Sequence, residues 1–226
     1  KRILRELKEG GALLSYGSMK IGAHVSDFLM PVILATQFSP AVFGAYSLGM
    51  MIVFFFNSAL IQSSSKPMVI IGGEEFKANG QMRHTLASRM IIVSVSLALA
   101  MMCAYFWGDQ AVRFTGLSKR QVWMLTMALT GYAVLNFFSS LLMAMNQRIL
   151  ESLFLLFNSA VLILCLFLLY IYRHITVENV LLMFFIAPVF SVLLFLPFCR
   201  WTSLGPPAID RSNLNRMTDF TKWMVF

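Results

Sequence analysis

Residues 28–65 decide the fold, and they read FLMPVILATQ FSPAVFGAYS LGMMIVFFFN SALIQSSS without one charged side chain. About 20 apolar residues in a helix cross the roughly 30 Å hydrocarbon core of a bilayer, so this run is long enough for two crossings. Pro40 divides the run, because a proline disfavours the helical conformation at the residue before it. The stretch therefore predicts two membrane-crossing helices joined near Ser39.

The composition extends this prediction to the whole chain. Hydrophobic residues make up 58% of the sequence and charged residues only 12%, whereas a soluble domain has about 25% charged residues. Four more uncharged stretches follow, at 90–108, 121–147, 152–172 and 179–199. With the apolar segment ahead of residue 28, they predict an all-α bundle of six transmembrane helices, near 11–36, 41–64, 87–108, 121–146, 152–172 and 178–199.

The last residues resume the apolar pattern. Thr218 and Asp219 offer an N-cap, and the apolar side chains that follow predict the start of a seventh helix over 218–226. Residue 1 is a lysine rather than a methionine. We therefore expect residues 1–217 to form the N-terminal six-helix lobe of a longer protein.

Basic residues are divided unequally between alternate connections. With the N-terminus inside, 13 of the 18 lysines and arginines fall in cytoplasmic segments, Lys20 falls within the first span, and the four outside are Arg113, Lys119, Arg120 and Arg173. An excess of basic residues marks the cytoplasmic side. The bias predicts a multi-pass protein of the cytoplasmic (inner) membrane with a cytoplasmic N-terminus. Topology and attraction to anionic membrane lipids thus account for the net charge of +8, and nothing indicates nucleic acid as a partner.

Motifs for catalysis or metal binding are absent from the sequence. The three cysteines stand singly, the three histidines are scattered, and no HExxH, GxSxG or P-loop pattern occurs. We expect no enzymatic activity, no metal and no cofactor, with H⁺ or Na⁺ coupling as the one role for a small ion.

Ionisable side chains interrupt the first apolar segment. Lys20, His24 and Asp27 stand at i, i+4 and i+7, so they share one helical face with Tyr16, opposite a face of small residues. Each charge at bilayer depth costs roughly 2.5–3.5 kcal/mol on insertion scales, so such groups face a cavity or a partner. Pro31 should also free the backbone carbonyl of Asp27.

Two interpretations of this charged face stay open. In one, the three side chains neutralise one another and hold the bundle together. In the other, Lys20 and Tyr16 bind an anionic substrate, while Asp27 and His24 bind the coupling ion.

Neutral polar side chains in later spans complete the candidate site. Tyr46 and Asn57 share a face of span 2, and Asn136 and Ser140 share a face of span 4. Interhelical hydrogen bonding is one interpretation of these residues, and the wall of a cavity between spans 1, 2 and 4 is the other. The basic residues expected around a cytoplasmic mouth, where they would attract anionic lipid headgroups, are Lys66, Arg83, Arg89 and Arg148.

A family resemblance rests on the first residues and the first connection. The segment Lys1-Arg2-Ile3-Leu4-Arg5 precedes span 1, and residues 37–48 read QFSPAVFGAYSL. This pattern resembles the stretch near "LGPEEYGLYSLA" of polysaccharide and O-antigen flippases, with Pro40, Phe43-Gly44 and Tyr46-Ser47-Leu48 matching. Phe38-Ser39 replaces Leu-Gly, and Ala41-Val42 replaces the acidic pair. The superfamily of these flippases also contains multidrug exporters and lipid II flippases.

The resemblance implies a two-lobe transporter of 12 to 14 helices, of which this chain is one lobe. Such a protein would flip an undecaprenyl-diphosphate-linked oligosaccharide to the outer leaflet by alternating access during surface polysaccharide synthesis. Its partners would be that lipid-linked oligosaccharide, membrane lipids and its own C-terminal lobe. Lys20 would offset the charge of the diphosphate, and neutral polar groups would suit the sugar hydroxyls.

Two other functions remain open from the sequence. One is a cation-coupled exporter of small molecules from the same superfamily, which would use Asp27 as the ion site and which a cavity of negative potential would favour. The other is a non-transport membrane scaffold.

Overall fold

The computed structural model of the protein describes residues 17–22, 24–199 and 204–225, without the side chains of 26, 27 and 222–225. The described part is all-α and contains no strand. After a helical turn at 17–22, its α-helices are α1 Val25–Gln37, α2 Pro40–Phe56, α3 Ser65–Asn79, α4 Arg83–Thr115, α5 Lys119–Ala144, α6 Arg148–Ile171, α7 Val177–Phe195 and α8 Arg211–Val225.

Five helical segments are long and apolar enough to cross a membrane, within the residues described. They are Pro40–Asn79, Arg83–Thr115, Lys119–Ala144, Arg148–Ile171 and Val177–Phe198. These segments overlap the predicted spans 2 to 6. The predicted span 1 begins among residues whose structure is not described, and its described part contains the shorter apolar helix α1.

The second span continues well past its predicted end at residue 64. A π-helical segment, Asn57–Ile61, and a 3₁₀ turn, Gln62–Ser64, connect α2 to α3 without a loop. Pro67 is the third residue of α3, a position where its missing N–H costs no hydrogen bond within that helix. The charges after residue 65 ended the apolar pattern, yet no residue there breaks the helix before Gly80, which has a φ of 67°.

Capping residues close to the helix ends determine where several other helices begin or end. Ser118 and Gln121 form a reciprocal capping box at the start of α5. The hydroxyl of Thr176 accepts a hydrogen bond from the Asn179 N–H at the start of α7. Gly116 ends α4 in the left-handed conformation, with a φ of 76°.

Helix α5 lies at the centre of the bundle, where it packs against α2, α3, α4, α6 and, most extensively, α7. Gly131 makes this closest packing possible, because a Cβ atom there would overlap the carbonyl oxygen of Phe184 on α7. Small residues at such crossings let two helix backbones approach within a membrane.

Large apolar side chains cover much of the outer surface. Only 11% of the most apolar stretch of α4 is buried, and Tyr105, Phe106 and Trp107 are more than half exposed. An exposed apolar surface of this extent is not stable in water, whereas a lipid environment accommodates it. The surface is that of a membrane protein.

The final helix begins earlier than predicted. Helix α8 begins at Arg211 rather than at residue 218, and the Asp210 carboxylate accepts a hydrogen bond from the Ser212 N–H, which is a short N-terminal cap. Arg216 pairs with Glu74 of α3 at 2.9 Å, and Met217 is fully buried. Helix α8 thus packs along α3 and α4.

Candidate functional site

A cavity of about 750 Å³ lies between the N-terminal segment and helices α2, α5 and α6. Five of the residues predicted for the site line it, and they are Lys20, His24, Tyr46, Asn57 and Asn136. They come from four separate segments of the chain. The fold therefore brings into one space side chains that the sequence placed on separate helices.

A buried ion pair dominates the polar side of the cavity. The Nζ atom of Lys20 lies 3.5 Å from Oε1 of Glu151, whose side chain is 1% exposed. The Lys20 side chain keeps 34% of its exposure, so its ammonium group faces both the carboxylate and the cavity. The positive charge expected to meet a substrate is already balanced by a carboxylate.

The Glu151 carboxylate is held by more than this one cation. The Ser139 hydroxyl donates to Oε1 at 2.8 Å, and the Ser152 hydroxyl lies 3.5 Å from Oε2. Glu151 also stands in the first turn of α6, where the helix dipole favours a negative charge. These contacts fix the carboxylate at the cavity wall.

The sequence analysis missed Glu151. It is the one acidic residue beside the predicted fifth span, one position before that span was expected to begin. An acidic residue there is usual for a solvated helix start. Helix α6 instead begins at Arg148, which carries Glu151 into the bundle. A matching signal exists in the sequence, because a lysine inside an apolar span requires a counter-charge, which a neighbouring span can supply.

An amide pair forms the second polar contact of the wall. The Asn136 Nδ2 group donates to the Asn57 Oδ1 atom at 2.9 Å and joins α5 to the π-helical segment. Asn57 is 5% exposed, and leaving its carbonyl unpaired there would cost about 1–3 kcal/mol. The pair therefore joins two helices by a hydrogen bond, and both of its side chains also line the cavity.

Aromatic side chains line the rest of the cavity. Tyr132 stacks on Phe184 with ring centroids 5.7 Å apart, and Phe54 meets Tyr132 edge to face at 5.5 Å. Tyr46 and Phe43 extend this surface along α2. The cavity therefore has a charged and amide-bearing side and an aromatic side, an arrangement that suits an amphiphilic ligand.

A second, smaller cleft contains another predicted residue. Ser140 lies there rather than in the main cavity, and its hydroxyl donates to the Phe137 carbonyl at 2.9 Å. The cleft measures about 260 Å³ and runs between α3 and α5, with Lys66 exposed beside it. It shares Asn136, Ser139 and Met143 with the main cavity, so the two spaces adjoin.

The four basic residues expected at a mouth do not form one group. Arg83 and Arg148 are exposed at the starts of α4 and α6, and neither lines a described cavity. Arg89 was expected at the cytoplasmic mouth, but its side chain is fully buried on α4. Tyr16 and the Asp27 side chain lie outside the described residues.

Metal ligands do not cluster in the described part of the chain, where no group of three histidine, cysteine or acidic side chains lies close enough to hold an ion. Comparisons with known proteins add no assignment. No family model matches the chain, and no curated protein or solved structure shows significant similarity to it.

Proposed function

We propose that the protein forms one six-helix lobe of a cytoplasmic-membrane transporter that flips a lipid-linked oligosaccharide by alternating access. The observation that carries the proposal is the cavity of about 750 Å³ among apolar helices, with Lys20 on its wall. A cavity with polar groups at membrane depth is typical of a substrate pathway. The resemblance of residues 37–48 to flippases supports the same assignment.

The lining suits both parts of such a headgroup. Amide and hydroxyl groups of Asn57, Asn136 and Ser139 match the donors and acceptors of sugar hydroxyls. The aromatic faces of Tyr132 and Phe54 suit the apolar faces of sugar rings. The Lys20 ammonium group supplies the charge that a diphosphate requires on leaving water.

An anionic headgroup must compete with Glu151 for Lys20, because the two side chains are paired at the cavity wall. When a phosphate takes the ammonium group, the buried carboxylate loses its nearest counter-charge. A buried carboxylate that loses its counter-charge is costly, and binding of another cation offsets that cost. Substrate binding and ion binding are coupled in this way, with Asp27 and His24 as the other groups proposed for the ion.

The test measures flipping of a fluorescent undecaprenyl-diphosphate oligosaccharide by purified protein in proteoliposomes. Lys20→Ala should reduce the flipping rate by about tenfold or more, and Lys20→Arg should restore part of it, since a cation is retained. Lys119→Ala is the matched control, because Lys119 pairs with Asp109 on the surface. Normal flipping by Lys20→Ala at equal protein content would refute the proposal.

A second function is favoured by one observation, the buried Glu151 beside aromatic side chains. A carboxylate and aromatic faces bind organic cations, as in a cation-coupled multidrug exporter. Glu151→Gln separates the two functions. It should abolish uptake of an organic cation such as ethidium, whereas flipping of the anionic lipid should persist.

A further inference from the structure

Among the described residues, Arg89 is a buried cation without a counter-charge. Its side chain is fully buried in α4, and its Nη2 group donates to the Ser65 hydroxyl at 2.8 Å. Its Nε and Nη1 groups have no hydrogen-bond partner in that part of the chain. Burying a charge with unsatisfied donors costs several kcal/mol. Such a group in a folded protein requires an explanation, and its positive charge favours an anion nearby.

The neighbouring polar atoms are unsatisfied as well. Within the described residues, four of the five buried side-chain polar atoms without a partner belong to Ser63, Ser88 and Arg89. The Arg89 to Ser65 hydrogen bond joins the two short segments, 63–65 and 88–89, that contain them. The irregular helical turn Gln62–Ser64 lies at this point. The buried polar atoms that lack a partner are therefore concentrated at this one contact between the two segments.

A cleft lies on the other side of Ser65. It is the space of about 260 Å³ between α3 and α5, and its polar lining includes Ser65, Lys66 and Ser140. Because the Ser65 oxygen accepts from Arg89, its own proton is free to donate into the cleft. A ligand there meets one hydroxyl polarised by a guanidinium group and one flexible ammonium group.

Nearby carboxylates do not cancel this positive potential. On α3, Glu75 accepts from the His84 and Thr85 backbone N–H groups, and Glu74 pairs with Arg216. Glu151 lies behind Ser139, where Lys20 balances its charge. Within the described part of the chain, no acidic side chain lies within ion-pair distance of Arg89 or Lys66, so the cleft retains a positive charge.

We propose that the cleft between α3 and α5 binds the phosphate group of an anionic ligand, with Lys66 and Ser65 contacting the phosphate and Arg89 positioning Ser65 from behind. The site is distinct from the Lys20 cavity and does not depend on the transport function. Its phosphate comes from a phospholipid headgroup or from a soluble phosphate compound, since Lys66 lies at the surface among apolar side chains.

The experiment measures thermal unfolding of the purified protein in nanodiscs. In phosphatidylcholine nanodiscs, inorganic phosphate should raise the midpoint temperature in a saturable manner, beyond an equal ionic strength of chloride. In the lipid arm, phosphatidylglycerol should do so without soluble phosphate. One of the two ligands, phosphate or phosphatidylglycerol, should stabilise the wild-type protein. For that ligand, Lys66→Gln, Ser65→Ala and Arg89→Met should each raise the concentration needed for half-maximal stabilisation by about tenfold. Lys77→Gln, on the exposed last turn of α3, is the control and should bind normally.

The stability of Arg89→Met in the absence of phosphate separates a role of Arg89 in binding from a role in stabilising the fold. Methionine removes the unpaired charge, so the variant should be at least as stable as the wild-type protein in phosphatidylcholine. A marked loss of stability there, or retention of phosphate binding within about twofold in Arg89→Met and Lys66→Gln, would overturn the proposal. Absence of stabilisation in both arms would overturn it as well.

Discussion

At the scale of single residues, Glu151 changes the interpretation of Lys20. Lys20 was expected either to be neutralised with His24 and Asp27 on its own helix or to bind an anionic substrate, but its side chain pairs with Glu151 across the bundle at 3.5 Å. Breaking a buried pair by removing one partner leaves the other charge uncompensated. Lys20 is partly exposed and tolerates this loss better than Glu151 does, so the two residues should differ sharply as mutants.

Substitution of Glu151 tests this asymmetry. Glu151→Gln removes the competing charge but keeps an oxygen that accepts from Ser139, so the variant should bind an anionic lipid diphosphate about tenfold more tightly.

His24→Gln is the control, since His24 lines the same cavity and its replacement leaves the Lys20 to Glu151 pair in place. Titration calorimetry measures the affinity of each variant for the diphosphate. Weaker anion binding by Glu151→Gln would show that Glu151 contacts the ligand favourably, against the ion-pair exchange.

At the scale of helices, the crossing of α5 and α7 limits the bundle. Gly131→Ala should destabilise the protein by about 1–3 kcal/mol, because the added methyl group overlaps the Phe184 carbonyl and forces two backbones apart. Gly108→Ala, on α4 with no atom within 4 Å of the new Cβ, should stabilise it by about 0.5–1 kcal/mol. Unfolding in detergent, followed by circular dichroism, compares the two. Equal stabilities would mean that the helices do not cross as described.

The helices were predictable from sequence where long uncharged runs determined them, as in α5, α6 and α7. The prediction failed where charged residues were taken to mark the end of a helix or the surface of the bundle. Residues 65–79 contain charges yet stay helical, and Arg89 is charged yet buried. The cavity residues Lys20, Asn57 and Asn136 were recognisable because a polar side chain in an apolar span needs a partner. Glu151 was not, because its burial depends on the tertiary position of the first turn of α6.

At the scale of the whole molecule, the exposed apolar surface should contact lipid. A variant with Trp107 as its only tryptophan should lose most of its fluorescence in bilayers of brominated lipid, because that side chain is 57% exposed on α4. Acrylamide, which is dissolved in water, should quench it weakly. The control is a tryptophan-free background with Ile209→Trp, a position outside the spans, for which the two quenchers should exchange roles. Strong acrylamide quenching of Trp107 would contradict a lipid-facing α4.

The π-helical segment Asn57–Ile61 has a consequence for the register of everything after it. A π turn contains one residue more than an α turn, so it works as a one-residue insertion that rotates the following helix by about 100°. Without it, Ser65 would no longer meet Arg89, and Lys66 would leave the cleft beside α5. The 3₁₀ turn Gln62–Ser64 has fewer residues per turn than an α-helix and acts in the opposite sense, so the irregular segment 57–64 as a whole sets the rotational phase of α3 and the side chains that α3 presents to two neighbouring spaces.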